Sequence, residues 1–180
     1  MKVKIEQSLG SIGVAPHAAA ALATTASRAR GMIVFCGPTG VGKTTLAHLL
    51  VASQPQAVVH WLGDLRMSDE VRTALELSAR APVIAVVRSG ESMGLRSRWS
   101  DMALSRSLID AASVVTVTLR RVARRRPEHA PPSAPDAFVV EVLAPDGTPL
   151  TGSLAAEARA LVEAGITSAD EARFNVPHYG

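Results

Sequence analysis

The sequence predicts an α/β chain: a mostly parallel sheet with helices on both faces, followed by a small C-terminal α+β tail. Three observations predict it. Short apolar runs alternate with stretches of helical periodicity from Gly31 to Arg120. A glycine-rich turn, GPTGVGKTT (Gly37 to Thr45), lies between one such run and one such helix. A proline-rich stretch, PEHAPPSAP, then sets a shorter group of elements apart from the first. The expected organisation is a core over residues 1–124, a stiff linker over 125–136 and a small extension over 137–180.

Each element has its own reason. Met1 to Glu6 alternates and is expected to form a short strand. Pro16 to Arg30 reads as a helix, with proline in the first turn and Gly31 after the end. GMIVFC (Gly31 to Cys36) is a buried strand, and Thr44 to Ala52 a helix. AVVHWLGD (Ala57 to Asp64) is a second buried strand that ends in an acid. Ser68 is expected to cap the next helix, with Asp69 and Glu70 in its first turn. Val71, Leu75 and Ala79 share the buried face of that helix. Pro82 to Val87 is a third strand, and Ser89 to Ser100, polar and glycine-containing, is expected to be a loop. Asp101 to Ala112 reads as helical, and Ser113 to Arg120 as a fourth strand rich in Val and Thr. After the linker, AFVVEVL is a strand, APDG a turn, Leu154 to Ala164 a helix, and Ser168 caps a last short helix.

Composition narrows the class. Of 180 residues, 47% are apolar and only 3% aromatic, so the core is built from small aliphatics. No apolar run approaches the roughly 20 residues of a membrane span. The N-terminal MKVKIEQSLG has no long apolar region, so the expected location is cytoplasmic. The single cysteine, Cys36, fits a reducing compartment and a packing role. Net charge is +3, with one dense basic cluster from Arg120 to Arg126. No aromatic residues interleave with it, so a solvated strand end is favoured over nucleic acid as a partner. His17, His48, His60, His129 and His178 lack metal-ligand spacing, and Trp61 and Trp99 are expected to pack.

The glycine turn carries the chemistry. Its spacing is G-x-x-x-x-G-K-T. Gly37, Pro38, Thr39, Gly40, Val41 and Gly42 form a loop whose N–H groups can converge on anionic oxygens. The helix N-terminus adds donors and positive potential. Lys43 reaches the β- and γ-phosphates of a nucleotide, the Thr44 hydroxyl ligates Mg²⁺, and Thr45 continues the first turn.

Residues 11–52, which contain GPTGVGKTT, resemble the type II/type IV secretion ATPase family of pilus, secretion and DNA-transfer motors. The segment AVVHWLGDLRMSDEVRTALELSARAPVIAVV is similar to that family's Walker B region, and VVEVL and AGITSADEA to its C-terminal signatures. The resemblance implies a RecA-like P-loop core, ATP and Mg²⁺ as cofactors, a hexameric ring, and docking on an inner-membrane platform protein. It places Asp64 at the family's Walker B glutamate, as a catalytic and metal-holding residue, with Arg66 at the arginine two positions on. Three departures stand out. The family's acidic segment between the cradle helix and the Walker B strand has no room here. Its histidine after the next strand is replaced by the VVRSGES stretch, with Arg88. Its N-terminal domain is not in the matching span. The expected function is therefore a reduced, slow motor ATPase. The alternative is a nucleotide-binding regulator without turnover, and a third is a small-molecule kinase. Arg88, Arg96 or Arg98 would be a neighbour's arginine finger, against a favoured reading as solvated loop.

Overall fold

The apolar run before the glycine turn becomes the central strand. The computed structural model describes residues 2–52, 60–88, 93–125 and 136–180. Its strands are β1 (Gly31–Cys36), β2 (His60–Leu65), β3 (Pro82–Val87), β4 (Val114–Val122) and β5 (Ala137–Leu143). They form one sheet in the order β2-β3-β1-β4-β5. β1, β2, β3 and β4 run parallel, and β5 runs antiparallel along β4. Val34 stands opposite Ala85 on one side and Thr116 on the other. β1 is buried along its whole length, as continuous apolar runs in covered parallel strands require.

Helices cover both faces. α1 (Lys2–Ser11), α2 (Pro16–Ala26) and α3 (Lys43–Ala52) pack Ile5, Leu9, Leu22, Leu46 and Leu50 against Ile33, Phe35, Val86 and Val117. On the other face, α4 (Ser68–Ser78), α5 (Met93–Asp101) and α6 (Arg106–Ala111) cover Met32, Val34, Cys36 and Ala85. α7 (Leu154–Glu163) and α8 (Ala169–Asn175) close a third apolar cluster against Val122, Ala137 and Val139. The segment after the proline-rich stretch thus adds a strand and two helices to the same sheet. Full burial of each of these aliphatic side chains contributes about 1.5–3 kcal/mol.

Four local expectations are corrected. Met1 to Glu6 is not a strand: α1 runs from Lys2, because Ile5 and Leu9, four apart, are the residues that reach the core. The loop expected up to Ser100 contains α5 from Met93, where Leu95 and Trp99 repeat that spacing and are both buried. The helix expected from Asp101 to Ala112 is broken: α5 ends at Asp101, Ala103 takes a φ of 58°, and α6 restarts under a Ser105 cap. Ser68 does not cap α4; the Glu70 carboxylate accepts from the N–H groups of Arg66 (2.7 Å) and Met67 (2.9 Å) instead. Those two bonds hold its pKa below the usual value. Ser168 does cap α8, accepting from Glu171 N at 3.1 Å. Ala57–Val59, most of the linker and Ser89–Gly90 lie outside the described residues.

Candidate functional site

β1 delivers the chain to Gly37 at the C-terminal end of the parallel strands, with β3 on one side and β4 on the other. Gly37, Gly40 and Gly42 take φ values of 142°, 81° and 99°. Two of them are also sterically obliged. A Cβ on Gly37 would come 2.7 Å from the Leu119 carbonyl oxygen, and one on Gly42 would come 3.0 Å from the Phe138 ring. The turn is thus pressed between β4 and β5 and leads directly into α3, whose first turn carries Lys43, Thr44 and Thr45.

Lys43 is only 7% exposed. Its ammonium donates to the carbonyls of Gly37 (2.8 Å) and Pro38 (2.7 Å), folding back over the mouth of the loop. Burial pulls its pKa below the usual lysine range, and the Asp64 carboxylate pulls it partly back. Thr44 and Thr45 are exposed. An anion entering the loop would meet the lysine, the helix N-terminus and an accessible hydroxyl together.

Asp64 sits near the end of β2, one strand beyond β3, after an irregularity in the β2–β3 register at Gly63, whose φ is 68°. Its Oδ2 is clamped. Arg66 approaches through Nε (3.1 Å) and Nη2 (3.1 Å), and Arg88, at the end of β3, through Nε (3.0 Å). Arg98 on α5 donates to the Arg88 carbonyl at 2.9 Å and ties α5 to that corner. Asp64 Oδ1 is buried and has no hydrogen-bond partner among the described residues. A buried carboxylate oxygen left over, with a hydroxyl across the loop, suits hydrated Mg²⁺, which keeps waters and takes few protein ligands.

The sequence-named groups therefore converge on one end of the sheet: the glycine turn, Lys43, Thr44, Thr45 and Asp64. Arg88 pairs with Asp64 within its own chain and keeps more than half of its side chain exposed. Its place directly after a buried strand was the available signal. The basic cluster divides. Arg120 is 7% exposed, Arg121 pairs with Asp136 at 2.7 Å, and Arg125 N donates to the Ile166 carbonyl. The buried Cys36 thiol beside the loop is pushed up to about 12 by desolvation. Phe138, which walls Gly42, carried no sequence signal, because its register against the loop is set by the pairing of β5 with β4.

Solved structures share this architecture. The ATPase DotB of Legionella pneumophila superposes with a TM-score of 0.66 at 11% identity, over 84% of this chain and 61% of that one. DotB of Yersinia pseudotuberculosis gives 0.66 at 13% identity, over 92% and 61%. The pilus retraction motor PilT with bound ADP gives 0.68 at 12% identity, over 84% and 63%. The chain shares the fold of these structures. The chain spans about three fifths of their length. No protein-family model and no curated protein matches the sequence. Among the described residues no helix is long and apolar enough to cross a membrane.

Proposed function

We propose that this chain is an ATP-binding motor ATPase of a pilus, secretion or DNA-transfer apparatus, working in the cytoplasm as a homo-oligomeric ring docked on an inner-membrane platform protein. The observation that carries the reading is the convergence of Lys43, Thr44 and Asp64 at the strand ends of a fold shared with DotB and PilT. Gly37 to Gly42 would wrap the phosphates of ATP, Lys43 would turn from its loop carbonyls to the β- and γ-phosphates, and Thr45 would support the α3 end. Thr44 and Asp64 would hold Mg²⁺, which supplies charge neutralisation at the transferring phosphoryl group when bound. Asp64 Oδ1 is the acceptor available to orient a water.

A second reading has a specific observation behind it. Two guanidinium groups on Asp64 Oδ2 offset its charge, which favours nucleotide binding over hydrolysis and so a regulatory, turnover-deficient relative. One experiment separates the two: phosphate release from Mg-ATP, over a range of protein concentrations, beside Lys43→Ala. Turnover that rises with concentration and vanishes in the variant supports the motor. Absent turnover, with ATP still raising the melting temperature of the parent, supports the regulator. Saturation at 100-fold above Kd stabilises by about 2.7 kcal/mol.

A further inference from the structure

The glycine turn is flanked asymmetrically. On the β3 side stands the arm of Asp64, Arg66 and Arg88. On the β4 side lies an open cleft of about 290 Å³ between Pro38–Val41 and α8. That volume is near the lower end of small-molecule sites.

The far wall of the cleft is fixed in place. The Thr167 hydroxyl donates to the Ala123 carbonyl at 2.7 Å, and Glu171 Oε1 accepts from Ala123 N at 2.8 Å. Both bonds pin the start of α8 to the end of β4. Asn175 then uses both hydrogens of Nδ2, on Glu171 O (3.1 Å) and Glu171 Oε1 (2.9 Å). That sets the amide orientation and leaves Oδ1 as an acceptor. Two cations of β4 also line the cleft: Arg121 pairs with Asp136 at 2.7 Å, and Arg120 donates to the Leu119 carbonyl at 3.0 Å. The polarity is therefore graded. Donors and positive charge lie on the loop, on Lys43 and on β4, while acceptors, Asn175 Oδ1 and the Glu171 carboxylate, line the α8 wall.

A triphosphate in the loop has two ends. Its reacting end must face Asp64, so its other end faces the cleft. We propose that this cleft seats the nucleoside of the bound nucleotide, with Asn175 and Glu171 accepting hydrogen bonds from its donor groups. Those donors are sugar hydroxyls or an exocyclic amine. The inference rests on the nucleotide reading of the glycine turn. The C-terminal helix then acts as part of the ligand site as well as cover for the sheet.

The test is equilibrium binding of ATP and of inorganic tripolyphosphate to the parent, Asn175→Leu and Lys43→Ala, with each variant's melting temperature recorded. The parent is expected to bind ATP more tightly than tripolyphosphate. Asn175→Leu should lose about 3- to 10-fold for ATP and nothing for tripolyphosphate. Lys43→Ala should lose both. In the parent, 2′,3′-dideoxy-ATP and inosine triphosphate separate the two donors, since the first lacks the sugar hydroxyls and the second the amine. Equal affinity of the parent for ATP and tripolyphosphate overturns the nucleoside seat and leaves the phosphate cradle standing. An equal loss for both ligands in Asn175→Leu shows Asn175 to be structural and also overturns it. Binding of neither ligand by the parent overturns the cradle and the seat together.

Discussion

The glycine turn and the Asp64 arm meet at the same end of the sheet, yet they are made of different material. The turn is backbone. Its shape is set by three glycines at positive φ, by the Leu119 carbonyl and by the Phe138 ring. The arm is side chain. A carboxylate on β2 is held by guanidinium groups from the turn after β2 and from the end of β3, each more than half exposed. Backbone under steric constraint is costly to alter and insensitive to salt. Exposed ion pairs are cheap to alter and screened. The difference teaches that the shape of the turn, and with it the phosphate binding we propose, is built into the fold, whereas placement of the acid depends on surface charges that can rearrange.

Gly37→Ala should break the comparison most severely. The added Cβ meets a backbone oxygen at 2.7 Å, and the φ of 142° suits no side chain. We expect a loss of several kcal/mol, on the order of the strain and overpacking costs combined, and no nucleotide-dependent melting shift. Calorimetry with and without ATP checks both. Asp64→Ala should act on the other arm alone. ATP should still raise the melting temperature while phosphate release falls by about 100-fold or more, as for other lost positioning groups. Gly42→Ala sharpens the steric claim. It should cost about 1–3 kcal/mol, and Phe138→Ala in the same chain should relieve part of that, leaving the φ term. A strictly additive double-variant cycle would sink the idea that the ring presses on the turn.

Arg88→Ala should be milder. The pair with Asp64 is exposed on the arginine side, so stability should change by about 0–1 kcal/mol. The Mg²⁺ dependence of ATP binding should instead shift to lower concentration, because one cation competing for the carboxylate is removed; an unchanged midpoint would show the clamp to be inert. Glu70→Gln is expected to be smallest. Its folded pKa is depressed by the Arg66 and Met67 N–H groups, so its contribution is present at neutral pH and lost as pH falls through that depressed value. Parent and variant should converge in melting temperature in acid and separate above it.

The two arms also differ in how far the sequence disclosed them. Gly37, Gly42, Lys43 and Thr44 are local in the chain, and their spacing alone encodes a loop between strand and helix. The position of Asp64 near a strand end was legible from the apolar run before it, whereas its proposed role came only through the family resemblance. Its clamp was not legible, because Arg88 meets it only through strand order, with β3 inserted between β1 and β2. The same holds for Asn175 and Glu171, brought to the loop when β5 pairs antiparallel with β4. α1 and α5 were missed for a different reason. Among the described side chains their buried residues are two each, Ile5 with Leu9 and Leu95 with Trp99, too few to outweigh an alternating start or a polar, glycine-containing run.

Cys36 has a practical corollary. Its thiol is fully enclosed and holds its proton to about pH 12, so almost no thiolate exists near neutrality to attack an alkylating reagent. The native chain is thus chemically silent toward maleimides while folded. A cysteine placed at Phe174, 89% exposed on α8, would be the sole handle, and a fluorophore there would report on the helix beside the cleft without any background to subtract.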